Sequence, residues 1–177
     1  RSFLQDSISQ ALPNFERMKP IMVSEHISSQ YCMQGQQESY EMYFNRRFKA
    51  MGKPRSGLET AKEQMSYLDG MSLEDQTNSL LETVQNPAEI CAQYEEMLRL
   101  YRQQRLGDLL ALTTQDEQMA AQIDQLLYQR NRNWITPLTA MMENESLFIA
   151  VGAAHLPGEQ GVIRLLQEAG YQVRPLN

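Results

Sequence analysis

Residues 147 to 151 read Leu-Phe-Ile-Ala-Val, an unbroken apolar run that stops at Gly152. A run of that length, bounded by a glycine turn, has the signature of a strand buried on both faces. Beyond the turn, Val162, Ile163, Leu165, Leu166 and Ala169 fall at helical spacing, and Gly170 follows as a left-handed cap. Tyr171-Gln172-Val173-Arg174 then returns to an extended pattern. The order strand, loop, helix, strand predicts a β-α-β unit with a right-handed crossover over residues 146–177, and such a unit calls for other strands beside it. The expectation is therefore an α/β fold, predominantly helical, with a small central sheet.

Residues 1–145 carry the helical part of that expectation. Phe3, Leu4, Ile8, Ala11, Leu12 and Phe15 share one face, as do Tyr40, Tyr43, Phe44 and Phe48 further on. Gly52-Lys-Pro54-Arg-Ser-Gly57 combines glycine with proline and cannot continue a helix. Helices are predicted from about Thr60, from Ser72 with Asp75 three residues on, and from Asn86-Pro87, where Asn is the N-cap and Pro the first helical residue. A longer helix is predicted from Glu117 to about Met142, bent or restarted near Pro137. No internal repeat is present, and the chain is expected to be one domain, 1–177.

Composition narrows the function classes. The formal net charge is −6, with acids and bases interleaved and no basic patch to track phosphates, so nucleic acid is not the expected partner. No apolar run reaches the ~20 residues of a membrane span. Cys32 and Cys91 are too few for a cysteine metal site; they are either two small buried thiols or one bridge between helices in an oxidising compartment. The 11 methionines read as core filler. The chain opens at Arg1-Ser2-Phe3 inside a helical pattern, which suggests a trimmed or processed parent.

Three features carry possible chemistry. Val151-Gly152-Ala153-Ala154-His155-Leu-Pro-Gly158 lies where a strand hands over to a helix, the edge at which α/β proteins bind ligands. Gly152, Ala153, Ala154 and Gly158 keep this loop small, so a substrate could approach the backbone. His155 is suited to be a metal ligand, a general base or a hydrogen-bond donor, and equally to be a packed histidine satisfied by a carbonyl. Arg130 falls on the apolar stripe Ile123, Leu127, Arg130, Trp134, Leu138, Met141, with Asn131 beside it; a guanidinium there needs a carboxylate or a ligand. Glu59, in Gly57-Leu58-Glu59-Thr60 at a helix start, is its natural partner and a candidate base or ligand, although acids at helix starts are common caps. Arg132 and Asn133 point away and read as solvated surface, as does His26. A catalytic zinc-type site takes three protein ligands and a water, and this chain offers one well-placed His and one well-placed carboxylate.

Taken in order, Gly57-Leu58-Glu59-Thr60 with Gln64, Tyr101 with Gly107-Asp108, Arg130-Asn131 with Trp134, and Gly152-Ala-Ala-His155-Leu-Pro-Gly158-x-x-Gly161 with Gly170-Tyr171-x-Val173 resemble the TraB/GumN (Tiki-like) family. The resemblance runs from about Lys19 to Leu176 and is most specific in the last 48 residues. It implies a larger domain with a central sheet and two Gly-x-x-His motifs, of which Gly152–His155 is the second. The first is expected upstream of Arg1, supplied by a removed segment or by a second chain. The resemblance further implies a metal-dependent peptidase acting on peptide or protein substrates with a manganese- or cobalt-type ion, and a cell-envelope, periplasmic or secreted setting. On that pattern His155 and Glu59 are metal ligands, Glu59 doubles as the base, and Arg130 with Asn131 orients the carboxylate or steadies an oxyanion. With half the motif pair missing, the metal is expected to be incomplete or absent in this chain. The alternative is a non-catalytic module that holds a ligand or peptide in the same crevice.

Overall fold

Proline, glycine and short polar side chains cut the chain into helices at the places where backbone donors need partners. The computed structural model describes residues 17–33, 38–115 and 117–176. The helical face expected from Phe3 to Phe15 lies outside them. Helix α1 (Pro20–Cys32) begins with proline at its first position, where a missing N–H costs nothing. Helix α2 (Tyr40–Ala50) is capped by the Ser39 side chain. Helix α3 (Ala61–Leu68) opens with a full capping box: Thr60 accepts from the Glu63 N–H, and the Glu63 carboxylate accepts from the Thr60 N–H at 2.7 Å. Ser72 caps α4 (Leu73–Gln85), and α5 (Pro87–Arg102) restarts at Asn86-Pro87. Helix α6 (Leu106–Thr113) contains Gly107 within its first turn.

The long helix predicted from Glu117 to Met142 forms in three pieces: α7 (Glu117–Ile123), a π turn (Asp124–Tyr128) and α8 (Gln129–Met142), with Pro137 inside α8. A 3-10 turn (Ala153–His155) and α9 (Val162–Glu168) complete the order. Gly170 closes α9 at φ +93°, and the Tyr171 N–H bonds back to the Leu166 carbonyl at 3.0 Å.

The predicted sheet and the β-α-β unit are not there. Among the described residues every regular element is helical, and residues 146–152 and 171–176 run extended without a bridge to any strand. A strand exists only as part of a ladder, and periodicity cannot say whether a partner is available. Nor is the apolar run buried on both faces: Phe148 is 59% exposed and Ile149 36%. Phe148 instead rests its ring against Phe44 and Phe48 of α2, at 4.8 and 5.5 Å between centroids. Val151 alone joins the main apolar cluster.

The chain divides into two compact units, residues 1–38 with 71–99, and residues 39–70 with 100–177. In the first, α1 packs along α4, burying Val23 and Ile27 with Met18, Leu80 and Val84 against them. Among the described residues that core is partly polar, since Ser24 and Thr83 are buried as a hydroxyl pair 2.7 Å apart. A Cys32–Cys91 disulfide ties the end of α1 to α5, which resolves the alternative left open by the sequence. In the second unit, Trp134 and Leu138 of α8 and Val162 of α9 are buried together, with Leu58, Met141, Met142, Val151 and Leu166 packed around them. This cluster carries the residues considered next.

Candidate functional site

Helix α8 presents its buried face through Asn131, Trp134 and Leu138, continuing from Leu127 of the π turn. The stripe read from the sequence had Arg130, not Asn131, at its centre. Residues 130 and 131 lie three and four positions after Leu127, so both fit helical spacing, and Asn131 takes the central place while the rest of the stripe stays as read. Asn131 is fully buried, and Arg130 lies at the edge of the apolar face.

Arg130 is held on all sides. Its Nε and Nη2 donate to the two carboxylate oxygens of Glu59 at 3.1 and 2.5 Å, a bidentate pair. Its Nη1 donates to the Leu126 carbonyl, inside the π turn, at 2.8 Å. The guanidinium lies over the rings of Tyr67 and Trp134, 5.3 Å from each centroid. Both side chains of the ion pair are only 14% exposed. Glu59 thus meets Arg130 across 71 positions of sequence, through both of its oxygens.

His155 is 6% exposed and ends the 3-10 turn that Gly152, Ala153 and Ala154 build. Its Nδ1 lies 2.7 Å from Asn131 Oδ1. The roles follow from the other end of the amide. Asn131 Nδ2 donates to the Gln160 carbonyl at 2.8 Å and to the His155 carbonyl at 3.3 Å, so Oδ1 is the acceptor facing the imidazole. His155 therefore carries its proton on Nδ1, and Nε2 keeps a free lone pair. No described residue hydrogen-bonds Nε2, and it is not among the sealed, unpartnered polar atoms. The ring packs on Trp134 at 4.6 Å between centroids. Burial first, and the charge of Arg130 second, push the imidazole pKa down to about 4, so the ring is neutral at pH 7.

Glu59, Arg130, Asn131 and His155 are thus linked: Glu59 to Arg130 directly, Arg130 to His155 through Trp134, and His155 to Asn131. Gly158, at φ +84°, belongs to the following loop and faces Leu110 of α6, where an added Cβ would come within 3.0 Å. Gly152 has an ordinary backbone conformation and room for a Cβ 3.5 Å from the His155 ring. The stricter glycine is Gly161, where a Cβ would fall 2.2 and 2.3 Å from the Pro157 and Leu156 carbonyl oxygens. Sequence reasoning gave Gly161 no role, and passed over Tyr67 and Gln160. A spacing pattern shows a glycine but not which carbonyls surround it.

A divalent ion needs more than this network offers. The network offers one imidazole nitrogen and one carboxylate, Glu59, which is already paired with Arg130. Among the described residues, no group of three His, Cys, Asp or Glu side chains is placed to hold a metal. The described residues do not make a metal site by themselves.

Comparison with known proteins gives these residues a context. The model of the TraB/PrgY/gumN family matches residues 1–175. A metalloprotease TIKI homolog of Amphimedon queenslandica is 25% identical, the match covering 93% of this chain and 38% of the relative. Metalloprotease TIKI2 of Danio rerio is 22% identical, over 90% of this chain and 37% of its own length. The chain therefore spans under two-fifths of the relatives it matches. No solved structure matches it. With the family model covering nearly all of its length, and the Gly57-Leu-Glu59, Arg130-Asn131 and Gly152–His155 motifs joined in one buried network, the chain belongs to the TraB/PrgY/gumN family.

Proposed function

We propose that this chain contributes one wall of a metal-dependent, peptidase-type hydrolase centre acting on peptide bonds. Two relatives named as metalloproteases support the reaction class. The observation that carries the reading is the Asn131–His155 contact. A ring whose Nδ1–H is held by a fixed acceptor, and whose Nε2 is bare and neutral, has the second-shell arrangement of a metal-binding histidine. His155 is one ligand, and the remaining donors come from residues outside those described here. A manganese- or cobalt-type ion is the one the family resemblance favours. Glu59 steadies Arg130, and through it the electrostatics of the imidazole, and the lone pairs that Arg130 leaves free serve as ligand or base. Gly152, Ala153, Ala154 and Gly158 form the narrow loop along which a peptide backbone approaches.

Incubation of a peptide pool, with Mn²⁺ or Co²⁺ added, with a form of the protein that also carries the remaining donors tests this reading. The expected result is internal cleavage that chelation abolishes and His155→Ala removes. Cleavage that survives both would contradict it. The occupied Glu59 carboxylate favours a second reading, a binding module using the same crevice. Peptide retention without cleavage, unchanged in Glu59→Gln, would select that one.

A further inference from the structure

Helix α8 grips a single loop residue at both ends. Asn131 takes hold of the main chain of Gln160, donating to its carbonyl at 2.8 Å. The next residue, Arg132, takes hold of its side chain, with Nη1 donating to Gln160 Oε1. The other guanidinium nitrogen, Nη2, pairs with Asp124 of the π turn at 3.1 Å. Arg132, Asp124 and Gln160 are all exposed, and Arg132 by sequence alone is ordinary surface.

The carbonyl that Asn131 reaches is not incidental. It is the shorter of the two contacts that decide which way the buried amide faces. With the amide turned over, Oδ1 would oppose two carbonyl oxygens and Nδ2 would point at the imidazole. The loop has little slack to deliver this carbonyl differently, because Gly161 lies hard against the Leu156 and Pro157 carbonyls and its N–H bonds to the Gly158 carbonyl at 3.0 Å. The Gln160 carbonyl shares a peptide plane with that N–H, so the Gly158 contact holds one side of the unit, and the Arg132 grip on the Gln160 side chain holds residue 160 from the other.

We propose that Arg132 and Gln160 are positioning residues for His155: their side-chain contact sets the Gln160 carbonyl, which locks the Asn131 amide, which keeps the imidazole proton on Nδ1 and leaves Nε2 bare. The use of that nitrogen rests on the hydrolase reading; the positioning itself does not.

Nitrogen NMR of the histidine-labelled chain at pH 7 reads the tautomer directly. The wild-type His155 is expected in the Nδ1–H form in roughly tenfold excess, the ratio that one net buried hydrogen bond sustains. Arg132→Ala and Gln160→Ala should each lower that excess several-fold. Gln160→Glu, whose carboxylate Arg132 still grips, should keep it. Unchanged His26 signals and Trp134 fluorescence report that the fold is intact; if an alanine variant does not fold, Arg132→Gln replaces it, with a smaller loss expected. An unchanged tautomer ratio in the Arg132 and Gln160→Ala variants overturns the proposal. So does a loss in Gln160→Ala that Gln160→Glu fails to restore, since the grip would then not be the cause. Cleavage is not measured, so failure here leaves the hydrolase reading standing, and failure of that reading leaves this one.

Discussion

At the scale of single residues, the account turns on a neutral imidazole in a place where charge is unwelcome. His155 has its pKa lowered to about 4, against 6.5 in an unfolded chain. Between those values the unfolded state binds the proton and the folded state does not. Stability is therefore fully present above about pH 6.5 and is lost as the pH falls toward 4. The total is roughly 3 kcal/mol at 1.36 kcal/mol per unit. Urea midpoints measured from pH 7.5 to 4 should fall, and in His155→Gln the fall should shrink. An equal fall in both would place the acid sensitivity elsewhere. The residues of this network were legible in the sequence because each was chemically out of place: a guanidinium on an apolar stripe, a histidine in a loop of small residues. Their partnerships were not. Arg130 and Asn131 both fit helical spacing from Leu127, so the pattern alone does not say which is the buried centre; Glu59, 71 positions away, holds Arg130 at the edge.

Among elements, the helices were legible to within a few residues because their ends are written in local chemistry. Thr60 with Glu63, Ser72 with Asp75 and Asn86 with Pro87 satisfy or remove the first-turn donors, and that needs no distant partner. The strands were not legible, because Leu147–Val151 has the composition of a buried strand while its ladder partner is a long-range property. The tight loop after His155 makes a sharper prediction. Gly161→Ala puts a methyl group into two carbonyl oxygens and should cost about 2–4 kcal/mol, in the range of severe overpacking. Gly107→Ala, in open space within α6, should raise stability by about 0.5–1 kcal/mol. Thermal unfolding of the two variants checks the pair, and a similar response in both would refute the account of the loop.

For the molecule as a whole, the two units differ in what sustains them. Among the described residues of the first unit, Val23 and Ile27 are buried together beside a hydroxyl pair, and its disulfide closes a separation of 59 residues. Loop entropy assigns that closure roughly 4 kcal/mol. Thiol reduction should therefore raise amide exchange in α1 and α4 while α8 and α9 stay protected; equal loss across all four helices would contradict a unit-specific role. A bridge of this kind suits an oxidising compartment.

The central claim is that the fold delivers His155 Nε2 as a bare donor while supplying no complete metal site of its own among the described residues. Titrating the histidine-labelled chain with Mn²⁺ tests it most directly. The His155 ring signals should broaden at lower metal concentration than those of His26, with only weak, roughly millimolar binding from a single imidazole. If His26 broadens first, or if His155 is untouched at concentrations that broaden the acidic surface, Nε2 is not available and the proposed role of this chain in metal-dependent hydrolysis fails.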